Sequence, residues 1–131
     1  MMKKLITLIC CHFFALLSAC AFDIVHIEQI PIEIESSQAE INSFILANEA
    51  NINIGSGYSR ALRQGTKWDY VGKISYGDVY RTSDQVLTIE ASNIHEAYIV
   101  ISNKKLVGFY LPVEHSFSPL SSPIELNIRK M

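Results

Sequence analysis

Beyond the N-terminal segment the chain has three histidines, His26, His95 and His115, and two of them adjoin a carboxylate, as His95-Glu96 and Glu114-His115. Imidazole and carboxylate both ligate zinc. Successive side chains of a strand point to opposite faces, so neither dipeptide offers both groups to one ion without a bulge. Three separate histidines are expected, with no metal and no cofactor. The sequence lacks G-x-S-x-G and H-E-x-x-H, motifs that would mark a nucleophile or a zinc protease, and its S-x-x-K match, Ser102 to Lys105, falls on the polar SNKK turn. Gly55-Ser56-Gly57 has neither the third glycine of a dinucleotide loop nor the lysine of a phosphate loop, and reads as a turn. Among thirteen acids no pair is singled out for glycoside cleavage. The expectation is a protein that is not an enzyme.

Binding chemistry is better represented. All six tyrosines fall between Tyr58 and Tyr110. Tyrosine combines apolar area with a hydroxyl and is enriched at interfaces. Tyr76, Asp78 and Tyr80 at strand spacing would share a face, and with Arg81 and Trp68 they form the candidate partner-binding set. Trp68 and nearby tyrosines could alternatively stack on a cell-wall glycan. Charge is uneven: six acids and no basic residue lie between Asp23 and Glu49, whereas Arg60, Arg63, Lys67, Lys73 and Arg81 outnumber Asp69 and Asp78. An acidic arm beside a basic patch is expected, the two serving a partner or simply attracting each other.

All three cysteines, Cys10, Cys11 and Cys20, lie in the first twenty residues. The other 111 positions therefore hold no disulfide, no thiol nucleophile and no cysteine zinc site. Lys3 and Lys4 precede a run from Leu5 to Leu17 that is apolar except for Thr7, the two cysteines and His12. A short basic region, an apolar core and small residues make a secretory signal. Leu17-Ser18-Ala19-Cys20 resembles the lipobox of bacterial lipoproteins, and the likeness covers the signal region alone. It implies cleavage before Cys20, acylation of Cys20, and, with Ala21 next, transfer to the outer membrane facing the periplasm. Ala19-Cys20-Ala21 also fits ordinary cleavage before Phe22, which would give a soluble periplasmic protein, and an uncut helical anchor is the third reading. Residues 20–131 carry nine basic side chains (the eleven of the chain less Lys3 and Lys4) against thirteen acidic ones, a net charge of −4. With no basic patch to hold lipid, several acyl chains would have to do so, and nucleic acid fits poorly.

The expected organisation is a signal peptide over 1–19, a lipidated N-terminus and short tether over 20–23, and one globular domain over 24–131. Ile30, Ile32 and Ile34 alternate around Pro31, which lacks a donor and predicts an edge strand or extended arm. Ser37 and Glu40 have capping-box spacing and Ile41, Phe44 and Ile45 share a helical face, predicting a helix over Gln38 to Asn48. A short turn is predicted from Ser59 to Gln64, with Gly65 behind it. From Trp68 the period is two, with Trp68, Tyr70 and Ile74 on one face, and Leu87 and Ile89 inward. "EAYIVIS" and "KLVGFYLPV" are apolar on both faces around "SNKK" and predict a central hairpin. "EHSFSPLSSP" reads as a Ser/Pro loop and "IELNIR" as a last strand. Together these give α+β: a small antiparallel sheet or SH3- or OB-like barrel of five to six strands with one N-terminal helix. The leading function is a non-enzymatic envelope lipoprotein that binds a protein, as an assembly or stability factor of an outer-membrane or secretion complex or as an inhibitor of a periplasmic enzyme. The alternative is a glycan-binding module or small peptidoglycan-acting enzyme. Metal binding through His26, His95 and His115 is a distant third.

Overall fold

In the computed structural model, residues 27–36, 43–54, 58–83, 86–90 and 94–131 are described. They contain no helix, so the expected α+β class is corrected to all-β. The predicted helix fails at its centre: Phe44–Leu46 is a strand, paired with residues 67–68 on one side and 128–130 on the other. Phe44 and Leu46 are buried and Ile45 between them is not, which is a period of two. Cross-strand partners more than twenty positions away have overridden a local helical pattern. The predicted turn at 59–64 is likewise mostly strand.

The strands in chain order are β1 (Ile30–Pro31), β2 (Phe44–Leu46), β3 (Ala50–Ile54), β4 (Tyr58–Leu62), β5 (Lys67–Ile74), β6 (Gly77–Thr82), β7 (Thr88–Glu90), β8 (Ile94–Glu96), β9 (Tyr98–Ser102), β10 (Lys105–Leu111), β11 (Ser116–Glu125) and β12 (Ile128–Lys130). Eight form one antiparallel sheet in the order β1-β11-β10-β9-β6-β5-β2-β12, larger than the five or six strands expected. β3–β4 and β7–β8 are separate two-stranded hairpins.

The β9–β10 hairpin is central, as its two apolar faces require. It turns through Asn103 and Lys104, both left-handed (φ 51° and 62°), as a tight two-residue turn demands. Ile99, Ile101, Phe109 and Leu111 point into the larger core together with Trp68, Ile52, Leu62, Leu87 and Ile89. The two small hairpins cover that side. Val79, Val100, Tyr110 and Phe117 point the other way, into a second core with Ile74.

The second core is closed by the N-terminal arm. Ile30 and Pro31 pair with Phe117 and Ser116 on β11, while Glu35 exchanges both backbone hydrogen bonds, each 2.9 Å, with Lys73 on β5. In a flat sheet β11 and β5 would stand four strands apart, about 19 Å at 4.7–4.9 Å per strand. One arm touching both means the sheet curls until they flank it. Tyr76, in the β5–β6 turn, confirms the curl by stacking on Phe117 of β11, ring centroids 4.3 Å apart. Ile30, Ile32 and Ile34 pack inward from the arm. Gly72 makes room, since a Cβ there would lie 2.4 Å from Ile34 Cγ2 and 2.8 Å from the Glu35 carbonyl oxygen.

Two further expectations are corrected. Tyr70 and Gly72 flank a register shift in β5, so Trp68 serves the larger core and Ile74 the second instead of sharing a face. The expected Ser/Pro loop is largely β11, with Ser116 and Ser118 buried. Pro119 and Pro123 lie beyond the short stretch that pairs with β1, where one side of β11 is an edge and a missing donor costs little.

Candidate functional site

The expected partner-binding set does not form one patch. Asp78 and Tyr80 share a face of β6, but Tyr76 precedes the strand, and its ring lies against Phe117 in the second core's wall. Tyr80 faces the larger core and Arg81, the next residue, is exposed on the opposite side. Trp68 is 1% exposed, beneath Phe44 at 6.5 Å between ring centroids. A ring so buried cannot serve as a sugar-stacking platform. Cys20 and His26 lie outside the described residues, as does the stretch Gly55-Ser56-Gly57 that the sequence reads as a turn.

The histidines stay apart, and among the described residues no three metal-ligating side chains gather. Their acid partners are not their neighbours. His95 Nδ1 is 2.6 Å from Glu114 Oε1, and His115 Nδ1 is 3.0 Å from Glu33 Oε2 on the arm. His95 is buried, while His115 and Glu33 are exposed. A 2.6 Å contact from imidazole nitrogen to carboxylate oxygen is short for a charge-assisted hydrogen bond. It fixes the β7–β8 hairpin to the turn between β10 and β11. Just before each bonded residue stands a large apolar side chain turned to solvent: Ile94 and Val113 are each 72% exposed.

A groove of about 590 Å³ opens at the other side of the larger core. The connection from β11 to β12 builds it. Leu126 donates its backbone N–H to the Lys104 carbonyl (3.3 Å), and the Asn127 carbonyl accepts from Ala47 (2.8 Å), so two residues run from the β9–β10 turn to β2. Tyr80 and Ile101 lie beneath this crossing, and Phe44, Leu126 and Ile128 complete the apolar lining. They are diagonal neighbours on one face, because Asp78 is the residue opposite Ile101. Phe44 meets Tyr80 edge to face at 4.9 Å, and Tyr70 meets Tyr80 likewise at 5.5 Å. Burial first, then Asp78 and Tyr70, push the Tyr80 phenol above its ordinary pKa. Lys104 and Lys130 stand at the groove. Neither enters an ion pair among the described residues.

A second cleft, about 340 Å³, brings Arg60 and Arg63 from the expected basic patch beside Trp68 and Thr66. Arg60 Nη1 donates to Thr88 Oγ1 at 3.5 Å, which ties β4 to β7. Across β5, Asp69 accepts from Ser43 Oγ at 2.7 Å and lies 3.8 Å from Lys67 Nζ. Arg60 is thus partly spent on holding the two small hairpins together, and Lys67 on a neighbour of its own strand. No protein-family model, curated protein or solved structure matches this chain. The groove was hidden from the sequence because its walls come from positions 44, 80, 101 and 126–130. A two-residue crossing joins them, and no local periodicity announces it.

Proposed function

We propose that this chain is a non-enzymatic lipoprotein of the bacterial envelope, anchored through acylated Cys20 and facing the periplasm, that binds another protein. Support for the address is the lipobox-like Leu17-Ser18-Ala19-Cys20 at the end of a well-formed signal. The observation that carries the binding reading is the pair Ile94 and Val113. Both are large, apolar and 72% exposed, and both sit next to residues locked by the His95–Glu114 bond. Covering these two side chains would release water while the His95–Glu114 bond already orders the residues next to them, which supports a partner-binding reading.

The address is tested by the intact mass of the full chain extracted from bacterial membranes beside a Cys20→Ser variant. Residues 20–131 plus acyl chains, lost in the variant, is the expected mass. A mass beginning at Phe22 would make the protein soluble in the periplasm and remove the anchor. The binding surface is tested by Ile94→Asp combined with Val113→Asp, which should abolish co-purification of a partner with the urea midpoint unchanged. Undiminished recovery would move the interface elsewhere.

A further inference from the structure

The groove under the Leu126–Asn127 crossing combines two features that single out one ligand chemistry. Most of its wall is apolar, from Phe44, Tyr80, Ile101, Leu126 and Ile128, with Ser43 and Asn127 beside them. Its volume of about 590 Å³ falls in the range of small-molecule sites, about 300–1,000 Å³. Against this lining stand two ammonium groups, Lys104 and Lys130, without ion-pair partners among the described residues. An alkyl chain alone would leave both lysines unused, and a small anion alone would leave the apolar wall wet.

We propose that the groove is a binding site for a long-chain carboxylate, one alkyl chain against the apolar wall with its head group between Lys104 and Lys130. The two lysines arrive from separate parts of the sheet, one in the turn of the central β9–β10 hairpin and one at the last residue of the edge strand β12. Lys104 is held with φ 62°, a conformation that disfavours any side-chain-bearing residue and suits glycine. The cation therefore occupies a position where turn geometry alone would select a glycine or asparagine.

That strain supplies the experiment. Lys104→Gly removes the charge while relieving the turn, so a loss of binding cannot be blamed on unfolding; Lys130→Ser removes the second charge at an exposed edge. The purified full chain is titrated with sodium dodecanoate, dodecanol and acetate by calorimetry, with fluorescence of the single tryptophan, Trp68, as a second readout through its contact with Phe44. Dodecanoate is expected to bind saturably at one per chain, dodecanol at least tenfold more weakly, and acetate not at all. The double variant should lose at least tenfold for dodecanoate and nothing for dodecanol. Absence of saturable dodecanoate binding overturns the proposal, as does equal affinity for dodecanol or an unaltered affinity in the double variant. Binding of an acidic amphipathic peptide in place of dodecanoate would overturn it too, and would make the groove a second protein interface.

Discussion

The buried imidazole of His95 and the carboxylate of Glu114 meet at 2.6 Å across 19 positions of sequence, and their bond ties a two-stranded hairpin to the main sheet. Glu114→Ala would leave a buried donor unpaired, a loss of about 1–3 kcal/mol. Glu114→Gln keeps an acceptor in place and should lose less. Urea unfolding of the two variants separates them, and equal midpoints for Glu114→Ala and the parent would show that the tether carries no stability.

The arm that closes the second core depends on a missing side chain. Gly72→Ala would set a Cβ 2.4 Å from Ile34 Cγ2 and 2.8 Å from the Glu35 oxygen, so the arm must shift. Overpacking of this kind costs about 1–3 kcal/mol. Gly65→Ala is the matched control: nothing lies within 4 Å, and the φ of +84° alone opposes it, at about 1 kcal/mol. Hydrogen exchange should quicken at Glu35 and Lys73 in the first variant only.

Acid should weaken the protein partly through Asp69. The Ser43 hydroxyl, then Lys67, Ser83 and Arg81, hold its carboxyl below the ordinary 3.8 against the opposing effect of burial. A carboxylate with a lowered folded-state pKa stabilises fully above its unfolded value and loses that contribution as pH falls through the folded one. Ser43→Ala removes the largest cause and should flatten the stability profile below about pH 4. A profile identical to the parent's would place the acid sensitivity elsewhere.

Alkali should act through Tyr80 and Tyr110, both pushed above the ordinary value of 10.0, first by burial. The folded state then holds these protons more tightly than the unfolded chain does. Their contribution is complete below about pH 10 and disappears as pH rises through the folded values. Replacing both by Phe should make the parent's decline between about pH 9 and 12 shallower. Unfolding midpoints across that interval decide it.

Part of this architecture is written locally. Pro31 among alternating isoleucines announced an edge-bound arm, and the double-faced apolar runs around Asn103 and Lys104 announced a central hairpin. Both signals survive because no distant partner contradicts them. Residues 38–48 carry an equally good local pattern for a helix, yet Phe44 and Leu46 enter a sheet because β5 and β12 offer pairing on both sides. Ser116 and Ser118 look like loop residues, but they fit against a stretch where Gly108 lets Phe117 approach, a Cβ there lying 2.6 Å from the Phe117 ring. The groove is the least legible part: Tyr80 stands out in the sequence as a candidate, but Ile101, Lys104 and Lys130, which line the groove with it, come from other strands and turns. Ile94 and Val113 draw notice only once their exposure is known.

The arm at residues 27–36 is the first described part of the chain to be synthesised, yet both strands that hold it come later. Gln29 accepts a hydrogen bond from Ser116, 87 positions downstream, and Ile30 pairs with the residue after it. Contacts so far apart in sequence must wait for the entropy of closing a long loop. The curled sheet consequently cannot be completed before residue 117 has been synthesised, whatever its hairpins do. Until residue 117 emerges, Ile30 lacks its strand partner and the apolar side chains of Ile30, Ile32 and Ile34 lack the Phe117 wall of their core, which makes this arm the segment a holding chaperone would cover.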